Sequence, residues 1–135
     1  FYYSQVLFDD FILNLIDFDL LSLGDPALDV ANFTAHLHLL GLIVHDDFHA
    51  YAEDRRRFKM VYARHQRITA PFWRRVGFYE AATLFRLLQV VAPRANMQHL
   101  YEPLLEEVKQ LLLGEGARHH PPMSTPTRSS RVPCT

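Results

Sequence analysis

The aspartates that follow the first apolar run are the side chains best suited to chemistry in this chain. Asp17 ends an apolar run that begins at Ile12, and Asp19 follows two positions later. Carboxylates at the end of a strand commonly hold phosphate-bound Mg²⁺, because this ion takes hard oxygen ligands and few of them. Side chains two positions apart on an extended segment point the same way, so Asp19 could support an ion bound by Asp17. The alternatives are a turn-capping role for Asp17 and a solvated loop position for Asp19.

A longer string around these residues resembles a known family. Residues 16–31, with the sequence IDFDLLSLGDPALDVA, closely resemble the metal-binding segment of the aminoglycoside phosphotransferase family, a branch of the kinase-like fold. The resemblance covers residues 1–113 and is most specific in residues 1–33. It implies a mainly α fold with a small β-hairpin, namely the C-terminal lobe of the protein-kinase-like fold. It also implies that Asp17 binds the Mg²⁺ that bridges the phosphates of ATP.

Gln5 is a further metal candidate that the resemblance supplies. The catalytic loop of the family reads His-x-Asp, four residues and then Asn, and residues 1–7 resemble the stretch directly after that Asp. Gln5 then occupies the Asn position and offers the same amide oxygen on a longer arm. The catalytic Asp would fall immediately before Phe1, and the nucleotide-covering N-terminal lobe would precede it. We therefore expect a fragment that lacks both and is inactive alone.

Two more aspartates are predicted to support the site without touching substrate. Asp25 precedes Pro26 at a helix start, where a carboxylate satisfies free backbone N–H groups. Asp29 resembles the family's buried helix aspartate, which braces the catalytic loop through hydrogen bonds. By contrast, His36 and His38 are two residues apart on a helix and face different directions, so they do not form a metal pair.

The elements that must position these groups follow from periodicity and from turn and cap residues. A hairpin is expected from residues 5–8 and 12–17, with its turn at Asp9-Asp10. Four helices should follow: one from Asp25 that stops at Gly41, and others spanning about 46–66, 71–91 and 100–112. Residues 78–91 are apolar on nearly all sides and are predicted to be the most buried.

Two charged residues interrupt the third predicted helix. Glu80 and Arg86 must be paired or face a cavity if they are buried, and a substrate cleft is one interpretation. We favour ordinary helix-surface charges. After Gly114 the composition turns to Pro, Ser, Thr, Arg and His, so residues 114–135 are predicted to be a disordered tail beside a single domain of residues 1–113.

Charge and composition limit the partners that the chain is expected to have. Residues 1–54 contain ten acids and no Lys or Arg, whereas residues 55–94 contain ten basic residues and one acid. A basic helical stretch is usually a solvated face, so we expect no nucleic-acid partner. The only cysteine, Cys134, permits no disulfide within one chain. No signal peptide or membrane-length apolar run is evident, and a cytoplasmic protein without a membrane partner is expected.

The resemblance and the residues together predict an ATP-dependent, Mg²⁺-assisted transfer of the γ-phosphoryl group to a hydroxyl of a small molecule. The Arg-rich stretch argues against a polycationic aminoglycoside as the acceptor. The alternative is a non-catalytic remnant or a helical interaction module, in which the same acids only hold loops together. A helical nucleic-acid binder is a third class that would depend on the Arg stretch alone.

Overall fold

The computed structural model describes residues 1–19, 21–66 and 68–113. The elements are β1 (Val6–Asp9), β2 (Ile12–Leu15), α1 (Pro26–His45), α2 (Ala52–His65), α3 (Ala70–Val91) and α4 (Tyr101–Leu112). Short 3-10 helices at Tyr3–Gln5 and Ala95–Leu100 precede β1 and α4. The prediction of a mainly helical chain with one antiparallel hairpin is confirmed. The predicted tail at 114–135 lies outside the described residues.

The hairpin turns one residue later than predicted. Val6 pairs with Leu15 and Asp9 pairs with Ile12, so the turn is formed by Asp10 and Phe11. Both have positive φ values, 37° and 72°. A two-residue loop with two left-handed residues matches the twist of the strands that it joins. Asp9, predicted to lie in the turn, therefore closes β1.

Helix α1 begins as predicted and ends later. The Asp25 side chain accepts a hydrogen bond from the Ala27 amide at 3.0 Å, and Pro26 occupies the first helical turn. The helix runs to His45, so Gly41 does not stop it. A Cβ at Gly41 would lie 2.5 Å from the backbone oxygen of Asp47. Gly41 is therefore needed where the loop crosses the helix.

Asp46 and Asp47 end α1 instead of opening α2. Asp46 adopts the left-handed conformation at φ 52°, and its amide bonds to carbonyl oxygens of the last turn of α1. The Asp47 carboxylate accepts the His49 amide at 2.8 Å, which forms a side-chain-capped turn. Since these acids serve the loop, α2 begins only at Ala52.

The core lies along α3, which packs on α1 on one side and on α4 on another. One apolar cluster joins the second half of α1 to α3, to the 3-10 helix at 95–100 and to α4. A second cluster joins the start of α1 to the start of α3, and α2 contributes Phe58 and Tyr62 to it. The length and hydropathy of α1 would allow it to cross a membrane, and 56% of its apolar window is buried within the structure.

The prediction that residues 78–91 are the most buried is wrong. Seven of those 14 residues are buried, against nine of 13 in residues 30–42 of α1. Phe78 is 66% exposed and Phe85 is 56% exposed. The helices α1 and α4 cover two sides of α3, and its third side, which carries these two rings, faces solvent.

Candidate functional site

The structure brings together the two side chains at the centre of the predicted metal site. Gln5 Nε2 donates to Asp17 Oδ2 at 2.8 Å, although the residues are 12 positions apart. The hairpin causes this approach, because the Ile16 amide donates to the Gln5 carbonyl at 3.0 Å and extends the ladder past Val6 and Leu15. Asp17 follows directly and lies at the open end of the hairpin.

Gln5 is fixed on its other side by the 3-10 helix. The prediction that Gln5 begins the first strand is wrong, because Gln5 ends the 3-10 helix and β1 begins at Val6. Its side-chain oxygen Oε1 accepts a hydrogen bond from the backbone amide of Tyr2 at 3.0 Å. The backbone amide of Gln5 donates to the Tyr2 carbonyl oxygen, also at 3.0 Å. With Oε1 bonded to Tyr2, the amide nitrogen faces the Asp17 carboxylate. In this arrangement Gln5 orients Asp17, and it could donate an oxygen to a metal only after its amide turned and released Tyr2.

Asp17 is held in an unfavourable backbone conformation. Its φ of 66° lies in the left-handed region, which costs a non-glycine residue roughly 1–3 kcal/mol and occurs preferentially at functional sites. The same φ breaks the extended conformation on which the argument for Asp19 relied. Asp19 lies in the exposed turn that follows, and the alternation of an extended segment no longer places it beside Asp17.

The donor set fits a magnesium ion that is bound mainly through phosphates. Asp17 keeps lone pairs free beyond its bond to Gln5, and Mg²⁺ commonly takes one or two carboxylates, waters and substrate phosphates. Within residues 1–19, 21–66 and 68–113, no three His, Cys, Asp or Glu side chains gather as a metal cluster. An all-protein cage is therefore not present in the described part of the chain.

The first half of α1 holds residues 1 and 2 beside this site. Asn32 Nδ2 donates to the Phe1 carbonyl at 2.8 Å, and the Phe1 ring packs on Phe33 with centroids 5.2 Å apart. Tyr2 stacks on His36 at 4.5 Å. His36 Nδ1 lies 2.9 Å from the Asn32 carbonyl oxygen, so this nitrogen carries the proton. Burial lowers the pKa of His36.

Asp29 does not occupy the buried position that the resemblance implies. Its side chain is 66% exposed, and Oδ1 lies 3.7 Å from the amino group of Phe1. Leu28 and Asp29 fall on the outward side of α1, since Ala27 and Val30 take the core positions. Asp29 therefore contacts the segment before the hairpin as an exposed charge, and Asn32 makes the hydrogen bond to that segment.

Asp25 combines its capping role with an ion pair between distant elements. Arg75 Nε of α3 donates to Asp25 Oδ2 at 2.6 Å. This hydrogen bond, followed by the one from the Ala27 amide, lowers the pKa of Asp25. The loop that carries Asp17 is therefore anchored at its far end to α3.

A buried charged cluster between α1, α2 and α3 was not predicted from the sequence. Glu80 is 4% exposed, with Oε2 at 3.0 Å from Lys59 Nζ and Oε1 at 3.4 Å from His38 Nε2. Arg55 Nη1 contacts His38 Nδ1. The interpretation of Glu80 as a helix-surface charge is therefore wrong. Arg86 is exposed, and its Nη2 lies 3.4 Å from Asn32 Oδ1, apart from Glu80.

His38 is contacted on both of its ring nitrogens. Nδ1 contacts both Arg55 Nη1 and, at 3.3 Å, the carbonyl oxygen of Phe48, while Nε2 faces Glu80 Oε1. Burial first, and then the charges of Arg55 and Lys59, hold the pKa of His38 well below its usual range. His38 also stacks on Phe48 with centroids 3.9 Å apart. The cluster therefore combines a neutral histidine, two cations and one carboxylate.

One sequence signal could have revealed this cluster. Glu80 and His38 each interrupt an apolar helix, and a charge in such a position must find partners. Arg55 and Lys59 are four residues apart and therefore lie on one side of α2. Outside this cluster, three arginines of the basic stretch pair within the chain: Arg56 with Glu53, Arg75 with Asp25, and Arg86 with Asn32.

Comparison with known proteins gives no match: no family model, no curated protein and no solved structure matches this chain. The likeness to phosphotransferases therefore rests on the residues themselves, above all on those of the hairpin and the start of α1.

Proposed function

We propose that this chain is the C-terminal lobe of a kinase-like phosphotransferase. The activity of the complete enzyme is transfer of the γ-phosphoryl group of ATP to a hydroxyl of a small molecule. The observation that carries the proposal is the hydrogen bond between Gln5 and Asp17 at the end of the hairpin. These are the two positions to which the resemblance assigns the metal, and they lie 12 positions apart along the chain.

Asp17 is the proposed ligand of the metal, and Gln5 is either a second ligand or the group that orients Asp17. A bound Mg²⁺ would neutralise charge on the nucleotide phosphates. The left-handed backbone at Asp17 and its bond to Gln5 fix the carboxylate before any ligand arrives. Asp25 supports this loop through its ion pair with Arg75 of α3, whereas Asp19 is an exposed neighbour whose carboxylate adds negative charge.

Phosphoryl transfer depends mainly on positioning, so half of a site has little activity. In this proposal the residue that positions the acceptor hydroxyl and the lobe that covers the nucleotide belong to the complete enzyme. We expect weak binding of metal and ATP by the 135-residue chain and no measurable turnover. The acceptor is a small molecule with a hydroxyl group.

Paramagnetic broadening tests the metal site on the chain as it is. Mn²⁺ replaces Mg²⁺ as the probe and is titrated with ATP into isotope-labelled protein. We expect early loss of the Gln5 side-chain signals and of the backbone signals of residues 16–18. Asp17→Asn should abolish this pattern, because it keeps an acceptor oxygen but removes the charge. Asp10→Asn, at the opposite end of the hairpin, is the matched control and should leave it intact.

Equal broadening in the wild type and in Asp17→Asn would rule out the metal role of Asp17. The coding sequence on the 5′ side of Phe1 supplies an independent test. The proposal expects an Asp codon immediately before Phe1 and a His codon two positions before that Asp. Any other residue at the Asp position would contradict the assignment of Gln5.

The second candidate is a non-catalytic interaction module, and one observation favours it. Large apolar side chains are exposed throughout the hairpin and the loop after it, with Phe8 71% and Phe11 95% exposed. A module that works through this surface needs no metal. Broadening that remains unspecific, together with a defined binding surface on the hairpin, would favour this function over the phosphotransferase.

A further inference from the structure

A series of hydrogen bonds leads from the proposed metal site to Arg86 of α3. The peptide group between Phe1 and Tyr2 lies in the middle of this series. Its N–H donates to Gln5 Oε1 at 3.0 Å, and its carbonyl oxygen accepts from Asn32 Nδ2 at 2.8 Å. The other atom of the same side-chain amide, Asn32 Oδ1, lies 3.4 Å from Arg86 Nη2. The guanidinium of Arg86 is therefore joined to the metal site through one peptide group and two side-chain amides.

The positive charge of Arg86 is not neutralised by the residues around it. Arg86 is exposed, and it contacts only the neutral amide oxygen of Asn32. Among the residues that the structure describes, no carboxylate forms an ion pair with it. Arg75 on the same helix differs, because the carboxylate of Asp25 binds it at 2.6 Å. Arg86 therefore offers N–H donors and a full charge to an anion from solution.

The path of the first two residues shows where Arg86 lies relative to a residue before Phe1. The amino group of Phe1 lies 3.7 Å from Asp29, and the ring of Tyr2 stacks on His36, further along α1. The chain therefore runs along α1 toward its C-terminal end, and a residue before Phe1 lies on the Asp29 side. Burial first, and then the charge of Arg86, lower the pKa of His36, so the guanidinium lies on the side of this ring.

We propose that Arg86 binds a carboxylate of the acceptor, so that the substrate of the complete enzyme is a small hydroxy acid. This inference rests on the phosphotransferase assignment, in which the residue before Phe1 positions the acceptor hydroxyl. A guanidinium binds a carboxylate through two parallel hydrogen bonds, which fix the orientation of the molecule. A phosphate group carries more charge than one arginine neutralises. The segment beside Arg86 belongs to residues 1–54, which contain no Lys or Arg to supply a second cation.

Glycerate is the probe that tests this inference on the 135-residue chain. Glycerol is the neutral control, because a hydroxymethyl group replaces the carboxylate and the other two carbons keep their hydroxyls. Both are titrated into isotope-labelled protein at constant ionic strength. We expect glycerate, but not glycerol, to shift the Arg86 Nε–H signal and the Asn32 side-chain amide signals to saturation. Arg86→Gln should remove the shifts at Asn32. Arg74→Gln, which changes another exposed arginine of α3, is the matched control and should keep them.

The pKa of His36, measured by a nuclear magnetic resonance titration of its ring, supplies a second readout. The charge of Arg86 contributes to the lowering of this pKa, so a carboxylate bound to Arg86 should raise it, and glycerol should not. In Arg86→Gln the pKa of His36 should be higher from the start and should not respond to glycerate. Asp17→Asn should bind glycerate as the wild type does, because the substitution lies at the other end of the hydrogen-bond series.

Three results would overturn the inference. Equal shifts with glycerol, or glycerate shifts at Asn32 that survive Arg86→Gln, would show that Arg86 does not select a carboxylate, and the metal role of Asp17 would be unaffected. Tighter binding of inorganic phosphate than of glycerate at Arg86 would show that the site prefers a phosphate group. Glycerate binding at Arg86 together with Mn²⁺ broadening that does not depend on Asp17 would contradict the proposed function, and with it the role of Arg86 in holding an acceptor.

Discussion

The hairpin and the helical body distribute polar and apolar side chains in opposite ways. From Leu7 to Leu23 apolar side chains are largely exposed, while Gln5 and Asp17 pair at an open end of the sheet. Between α1, α2 and α3 the reverse holds, because Glu80 and His38 are charged or polar and only 4% and 5% exposed. The helical body encloses its own apolar core, whereas most apolar side chains of the hairpin face solvent.

This difference indicates where each region gets its stability. A two-stranded hairpin is marginal in water unless it packs on another surface. The helical body has two apolar clusters along α3, and its charged cluster is paired across three helices. We therefore expect substitutions in the body to change the free energy of unfolding, and substitutions in the hairpin to change local opening or association.

The largest expected effect is at Glu80. Glu80→Gln leaves Lys59 and Arg55 without a compensating carboxylate in a buried place, and breaking a buried ion pair typically costs about 3–5 kcal/mol. Urea unfolding followed by circular dichroism measures this cost. Glu53→Gln is the control, because Glu53 forms only an exposed pair with Arg56 on α2. A midpoint equal in Glu80→Gln and in the wild type would show that the cluster does not hold α2 in place.

The next effect is a loss of stability on acidification that depends on His38. Arg55 and Lys59 face it from α2, Glu80 from α3, and the Phe48 carbonyl and His49 from the loop. Because the folded pKa lies well below that of the unfolded chain, the unfolded state binds a proton first. Stability is therefore full above about pH 6.5 and falls as the pH drops below that value, by up to about 1.4 kcal/mol per pH unit.

Unfolding midpoints measured between about pH 7.5 and pH 5 test this dependence. His38→Gln should flatten the slope, because Gln can accept and donate hydrogen bonds at this position without titrating. His65→Gln, at the exposed end of α2, should keep the wild-type slope. His36, whose pKa burial also lowers, contributes in the same direction. An unchanged slope in His38→Gln would show that His38 does not cause the loss of stability on acidification.

The two regions were also predictable to different degrees. Local signals located the helices well, since Asp25-Pro26 marks the start of α1 and the third helix ends at Val91 as expected. The predictions that Gly41 ends the first helix and that Asp46-Asp47 opens the second are wrong. These residues serve the place where a loop crosses α1, which is a tertiary contact that local spacing does not encode. The register of the hairpin could likewise not be predicted, because the two strands are short and their polar and apolar residues alternate only weakly.

For the candidate site, the resemblance named Asp17 and Gln5, and the hairpin register explains why they meet. The resemblance implied that Asp29 is buried, which is wrong, because the core side of α1 is set by Ala27 and Val30. The charged cluster escaped prediction because its members are scattered over residues 38 to 80. A helix-surface position was favoured for Glu80, and its actual partners depend on how three helices pack.

The smallest expected effect is a local gain of stability in the hairpin turn. Phe11 has φ 72° and is 95% exposed, so it strains the backbone and packs on little. Phe11→Gly should remove the cost of placing a side chain in the left-handed region, about 1–2 kcal/mol, and give the Asp-Gly sequence that this turn type favours. Hydrogen exchange of the β1 and β2 amides should slow, whereas the urea midpoint of the helical body should not change. Phe11→Ala, which keeps a Cβ at the strained position, is the control and should not slow exchange. A shift of the helical midpoint in Phe11→Gly would instead show that the hairpin and the helical body unfold as one unit, and the contrast between the two regions would then fail.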